Sequence, residues 1–304
     1  MSRQHVVVLG GTGFVGRHLV PRVLRDGHRV TVVSRGLTAA TRAALSRQAS
    51  VREGDEHDTG FLANVFDDAD AVINLTGILN EKGDRGDGFE HVFVGITEAV
   101  IAAMKASGTR RLLQMSALNA GHGESHYLQS RGRAEAKVRA SGLAWTMFRP
   151  SVIAGPGDGL FCRFDALLRV APVLPIAHGH TRFQPVWVED VAEAYARALL
   201  DEGTVGEVYD LVGPDVLSLA EIVQLTASAR GRHRMVVPLP EPLGRWQANV
   251  GELLPGKPIS RDNWRSLALD STSQDNGLPR LGITPTRVID RVPEILRLAT
   301  ASAA

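Results

Sequence analysis

Gly10-Gly11-Thr12-Gly13-Phe14-Val15-Gly16 decides the fold. The apolar run Val6-Val7-Val8-Leu9 precedes it and a helical pattern, Phe14 to Asp26, follows. The spacing Gly10-x-x-Gly13-x-x-Gly16 between a strand and a helix has a physical purpose. Gly10 permits the tight turn, Gly13 lets the backbone approach a pyrophosphate, and Gly16 lets the helix pack against the strand. The helix N-terminus offers unsatisfied N–H groups and a positive dipole end to the phosphates. Such a motif is weak alone and strong in a βαβ setting. Gly10, Thr12, Gly13, Phe14, Val15 and Gly16 are therefore expected to hold a dinucleotide.

Working outward, Arg29 to Val33 reads as a second strand, dense in β-branched residues. The residues beyond it choose between cofactors. An acidic side chain there would take the ribose 2′-OH of NAD, whereas Ser34-Arg35-Gly36 places a guanidinium that suits a 2′-phosphate. No carboxylate is expected beside it. NADP(H) is therefore favoured over NAD(H), with Ser34 and Arg35 as contacts. Asp55, after Val51-Arg52-Glu53-Gly54, ends a third strand and is a candidate for the adenine edge. Ala71 to Leu75 is a fourth strand, after which Leu75, Thr76 and Gly77 would pass close to the cofactor ribose. Helical patterns at Thr38 to Gln48, Glu90 to Ser107 and Ser130 to Ala140 alternate with strands at Arg111 to Met115 and Ala144 to Phe148. The alternation predicts an α/β fold, a Rossmann-type doubly wound parallel sheet with right-handed crossovers.

After Pro150 the texture changes to glycine and proline, then returns with a helix at Glu189 to Leu200, Asp190 as its N-terminal cap, and a strand at Glu207 to Val212. This divides the chain into a dinucleotide-binding domain, 1–150 plus 185–213, and a smaller discontinuous lid, 151–184 plus 214–304. In the lid, Leu243, Trp246, Val250, Leu253 and Leu254 form an apolar stripe on a short helix. It is expected to pack onto its own domain. A membrane, a quinone tail or a partner protein is the alternative.

Bulk composition excludes several classes. Among 304 residues, 34 Lys and Arg balance 33 Asp and Glu, so nothing calls for a nucleic-acid partner. The single cysteine, Cys162, makes no internal disulfide, no Cys cluster is available for zinc, and no His-Glu-x-x-His spacing occurs; no metal is expected. No run approaches the roughly 18 apolar residues of a transmembrane helix. The strand at His5 meets Gly10 too soon for a signal peptide. A cytoplasmic protein is expected, with peripheral contact at the inner face of a membrane left open.

Two residues carry candidate chemistry. Ser116 ends the strand Arg111 to Met115, where open parallel sheets bind ligands, and Tyr127 opens the next helix. A serine and a tyrosine over a nicotinamide can polarise a carbonyl and move a proton. His122 and His126 flank that segment and read as solvated loop histidines.

With these residues in place, the chain resembles the extended or atypical branch of the short-chain dehydrogenase/reductase superfamily. The resemblance rests on the Gly10–Gly16 loop, Asn74–Gly77, Ser116, Tyr127, Arg149-Pro150, Gly155-Pro156 and Pro185-Val186-Trp187-Val188-Glu189-Asp190-Val191, and it spans about residues 5 to 212. It implies a backbone contact to the nicotinamide amide from the stretch after Arg149, at Pro150 and Val152. Val92-Phe93-Val94, Ser116-Ala117-Leu118-Asn119-Ala120, Tyr127-Leu128-Gln129-Ser130 and, more weakly, Arg261-Asp262 are similar to the group of the NAD(P)H-binding accessory subunit of respiratory complex I and its bacterial relatives. That group implies tight NADP(H) binding. The superfamily pattern Tyr-x-x-x-Lys is broken here by Arg131. At i+4 Arg131 lies about 40° from Tyr127 around the helix, whereas Lys137 lies about 80° away. Arg131 can hold the ribose but stays protonated and joins no proton relay.

Three functions follow. The first is an NADP(H)-dependent reductase of an apolar or quinone-like carbonyl, with Tyr127 as acid/base, Ser116 as polariser and Arg131 on the ribose. The second is a non-catalytic NADP(H)-binding module of a respiratory or quinone-related assembly. The third is a nucleotide-sugar epimerase, disfavoured by the missing lysine.

Overall fold

The computed structural model describes residues 3–45, 47, 49–252 and 259–301. In chain order, the first half forms β1 (His5–Leu9), α1 (Gly16–Arg25), β2 (Arg29–Ser34), α2 (Ala39–Leu45), β3 (Ser50–Glu53), α3 (Thr59–Phe66), β4 (Ala71–Asn74), α4 (Asp87–Phe89), a π-helical turn at Glu90–Gly95, α5 (Ile96–Ser107), β5 (Arg111–Met115), α6 (His126–Arg139) and β6 (Ala144–Pro150). Then come β7 (Ile153–Ala154), α7 (Phe161–Val170), β8 (Val173–Ile176), β9 (Arg182–Phe183), β10 (Val186–Trp187), α8 (Val188–Leu200) and β11 (Val208–Leu211). The remainder is β12 (Leu217–Ser218), α9 (Leu219–Ala229), β13 (Met235–Pro238), α10 (Glu241–Gly251), α11 (Arg261–Ser266), α12 (Gly277–Arg280) and α13 (Val292–Ala301).

Seven strands make the central sheet in the order β11-β6-β5-β4-β1-β2-β3, every pair parallel. Both faces are covered, which is why β1 reads as an unbroken apolar run and is buried throughout. One apolar layer packs Leu19, Val20 and Val23 of α1 and Val191, Tyr195 and Leu199 of α8 on the sheet. The opposite layer packs Leu62 and Phe66 of α3, Val100 and Met104 of α5, and Val138 of α6. The Rossmann-type fold expected from the glycine motif is the fold observed. Strand order reverses between β1 and β4, so the crevice for a ligand opens there, at the carboxyl ends.

The second half departs from the sequence reading in three places. The glycine- and proline-rich stretch contains a full helix, α7, started by Asp158, whose carboxylate accepts from the N–H groups of Leu160 and Cys162. Asp190 does not cap α8. The helix starts at Val188, and the Asp190 carboxylate instead accepts from Thr286 N (2.7 Å) and Thr286 Oγ1 (2.9 Å). An acid in the first turn looks the same in sequence whether it caps its own helix or anchors another segment. The stripe on α10 does not pack inward either. Leu243, Trp246 and Val250 are 53%, 66% and 38% exposed. The buried face is Gly244, Ala248 and Gly251, because backbone comes close there: a Cβ on Gly251 would lie 2.5 Å from Ile259 O. Leu253 and Leu254 lie outside the described residues.

Leu278, Leu281 and Ile283 pack into the layer formed by α1 and α8 against the sheet. No helix among the described residues is long and apolar enough to cross a membrane.

Candidate active site

The glycine loop is shaped by backbone contacts that no side chain would survive. Gly10 has φ +73°, and a Cβ on it would meet Leu75 C at 2.9 Å. A Cβ on Gly16 would lie 2.5 Å from Gly10 O and from Gly11. Gly13 is exposed and meets only Gly10 O, so its outer side is open. No side chain caps α1 at Val15 and its first turn has no acid. Orphan N–H groups and the dipole therefore face the crevice, a cradle suited to a pyrophosphate. Thr12, Phe14 and Val15 are half-buried along its rim.

At the far side of the cradle, Ser34 is buried with its hydroxyl against Gly36 O (3.5 Å). The Arg35 side chain is 68% exposed. The expectation that no carboxylate stands beside it is corrected. The β2/β3 register pairs Ser34 with Glu53, which brings Glu56 alongside, its Oε2 3.6 Å from Arg35 Nε. Glu56 is buried, and burial pushes its carboxyl up from the usual range while Arg35 pulls it down. Asp55 is exposed, and its Oδ1 accepts from His57 N.

At the end of β4, Thr76 is pinned by Asn74, whose Oδ1 accepts from both Thr76 N (3.1 Å) and Thr76 Oγ1 (2.6 Å). Leu75 N donates to Leu9 O, joining this corner to the glycine loop. A Cβ on Gly77 would meet Arg131 Nη2 at 3.1 Å and Phe93 at 3.3 Å, so the loop passes close to both side chains. The carbonyls of Pro150 and Val152 are taken by the N–H groups of Leu118 and Val186. The N–H of Val152 makes no hydrogen bond among the described residues.

The three candidate catalytic residues are placed unequally. Tyr127 lies in the first turn of α6, its ring edge-on to Phe89 (5.9 Å) and Phe93 (5.4 Å), and its hydroxyl makes no hydrogen bond among the described residues. Arg131 shares that side of the helix, its Cζ 5.6 Å from the Tyr127 ring. It is buried, lies 3.9 Å over the Phe93 ring, and donates from Nη1 to Met115 O (2.8 Å). Its Nε has no partner, and no carboxylate among the described residues pairs with it. Lys137 points elsewhere, to Glu98 at 2.7 Å. Ser116 is not aimed at Tyr127. Its hydroxyl donates to Glu135 Oε1 (2.6 Å), and Glu135 is gripped by both Nε and Nη2 of Arg149.

Sequence reasoning missed Glu135, four residues beyond Arg131, and gave no role to Phe93, the platform under the guanidinium, beyond its part in the family resemblance. It likewise gave no role to Asp262, quoted only for the resemblance, whose carboxylate reaches the start of α6. Among the described residues, Asp84, His126 and Asp262 bring ligand atoms within 4.8 Å of one another. Arg265 already pairs with both carboxylates, at 2.6 Å and 3.0 Å, so the cluster is a closed ion-pair network. His122 is exposed, as expected.

Residues 10–162 match a family described as NAD(P)H-binding. The chain is 30% identical over 288 residues to NADH dehydrogenase (ubiquinone) 1 alpha subcomplex subunit 9, mitochondrial, of Arabidopsis thaliana, covering 89% of this chain and 71% of that protein. It is 30% identical over 243 residues to the ceramide reductase of Caulobacter vibrioides, covering 79% and 75%. Among solved structures, the UDP-glucose 4-epimerase of Thermus thermophilus in complex with NAD superposes with a TM-score of 0.77 at 20% identity, over 98% of this chain and 99% of that one.

Proposed function

This chain belongs to the NAD(P)H-binding family within the extended short-chain dehydrogenase/reductase superfamily, and from that premise we propose that it is an NADP(H)-dependent reductase of an apolar carbonyl compound. The observation that carries the proposal is the pair formed by Tyr127, with an unengaged hydroxyl, and Arg131, a buried cation with no counter-ion among the described residues.

When bound, the reduced nicotinamide supplies a hydride to the carbonyl carbon. Tyr127 gives its phenolic proton to the carbonyl oxygen, which leaves a phenolate on α6. Arg131, always charged, balances that phenolate and offers a donor to the ribose until solvent returns the proton. Ser116 does not serve as polariser while its hydroxyl is held by Glu135. We assign it the task of tying β5 to α6. Arg35, with its one 3.6 Å ion pair, is the group left to take a 2′-phosphate. Phe89 and Phe93, both buried, back the Tyr127 ring with apolar side chains. The names of the relatives, ceramide reductase and a subunit of ubiquinone-linked NADH dehydrogenase, point to long-chain apolar substrates.

The engagement of Ser116 supports a second reading, a non-catalytic NADP(H)-binding module in a respiratory or quinone-related assembly. Two measurements separate them. In a fluorescence titration, NADPH should bind tighter than NADH, and Arg35→Ala should remove the difference. A charge-assisted pair is worth roughly 1.5–3 kcal/mol, or about ten- to a hundredfold in affinity. With a ubiquinone analogue or a long-chain ketone, Tyr127→Phe should abolish NADPH consumption. A wild-type protein that binds NADPH and oxidises it with neither substrate class leaves the second reading.

A further inference from the structure

The first turn of α6, which carries Tyr127, is held only in part by its own sequence. Ser125 caps it only at Leu128 N, at 3.3 Å. The other orphan donors of that turn go to a side chain from more than 130 residues away. Asp262 Oδ1 accepts from His126 N (2.7 Å), and Asp262 Oδ2 accepts from Tyr127 N (3.1 Å) and from Ser125 Oγ (2.9 Å). Asp262 is buried and lies in the first turn of α11, itself capped by Ser260. One carboxylate from α11 thus takes the donors at the positive end of α6, and charge-assisted bonds of this kind are stronger than neutral ones. Arg265 holds Asp262 from behind (3.0 Å) and grips Asp84 of the β4–α4 loop with two bonds of 2.8 and 2.6 Å. Ser266 Oγ donates to Ser125 Oγ at 2.7 Å. The 260–266 segment therefore ties the loop after β4 to the start of α6.

We propose that Asp262 is a positioning residue for Tyr127: its carboxylate, brought from the end of the chain, fixes the first turn of α6 and so sets where the phenol stands relative to Arg131. The proposal rests on the reading that Tyr127 is the reacting side chain, and it deepens that reading. It also makes α11 part of the site rather than a remote piece of lid.

The chain has three tyrosines, Tyr127, Tyr195 and Tyr209, which makes the test direct. The full chain is labelled with 3-fluorotyrosine and its fluorine NMR spectrum recorded with and without NADPH, each signal assigned by a Tyr→Phe variant. In Asp262→Asn the Tyr127 signal should shift or split, while those of Tyr195 and Tyr209, in α8 and β11, stay in place. NADPH affinity should change by less than about threefold. Where turnover is measurable, kcat should fall by about tenfold or more with KM little changed, since small misplacements of a reacting group are costly. Asp262→Glu should recover part of the loss. If Asp262→Asn does not fold, Arg265→Gln is read in the same way. A Tyr127 signal that overlays the wild type overturns the proposal, and so does movement of all three signals together. The fluorine readout needs no activity, so absence of turnover in the wild type would count against the reductase and leave this test standing.

Discussion

On the proposed reading, Arg131 is a side chain costly to the fold and useful to the site. A buried cation without a carboxylate carries a desolvation penalty of several kcal/mol. Stacking on Phe93 and the bond to Met115 O offset part of it. Arg131→Met keeps the volume and removes the charge. We predict that the cofactor-free variant melts no lower than wild type, while its NADPH affinity drops about tenfold, the equivalent of one lost charge-assisted bond. A lower melting temperature with unchanged affinity would show Arg131 to be a packing residue. The helix-face argument made Arg131 legible in the sequence, because i+4 geometry is local. Glu135 was not legible as the partner of Ser116. A charged residue in mid-helix usually faces solvent, and only the fold brings Arg149 from β6 to hold it.

Among the elements, the strand–glycine–helix unit was the most readable. Its spacing is local and the Gly16 demand is a clash with Gly10 and Gly11, close in sequence, although the Gly10 clash is with the distant Leu75. Gly16→Ala would place a Cβ 2.5 Å from the Gly10 carbonyl and from Gly11. The expected result is a loss of about 2 kcal/mol or more in urea unfolding together with loss of NADPH binding. Gly36→Ala is the control, since nothing lies within 4 Å of its added Cβ, and it should change neither by much. The apolar stripe on α10 was misread for a related reason. Periodicity reports that one face is apolar, but not which face the rest of the chain approaches. Here backbone closeness at Gly244 and Gly251 decided, and it buried the small residues.

Across the whole molecule, the carboxyl ends of the sheet gather almost every candidate residue, as the alternation of elements implied. The long-range ties did not show in the sequence. Asp190 to Thr286, Asp262 to α6 and Leu278 into the sheet core all bind late residues to early ones. Asp158 offers a pH test of this scaffold. Burial raises its carboxyl to about 6, against four backbone N–H bonds that pull it down. A carboxyl raised on folding stabilises the native state relative to the unfolded chain only while it stays protonated. Its contribution is complete below pH ~4 and is lost as pH rises through about 6. Wild type should therefore lose ground to Asp158→Asn between those values in paired thermal melts. A constant difference across that range would refute the assignment.

The neighbour of Arg35 has a consequence for cofactor choice. Glu56 is a buried carboxyl already pushed toward its neutral form. A phosphate dianion arriving on Arg35 would push it further, so capture of NADPH would be coupled to uptake of a proton, and capture of NADH would not. On the proposed NADP(H) reading, discrimination between the two dinucleotides would then follow the surrounding acidity, widest where Glu56 can take its proton and narrowing as the medium turns alkaline.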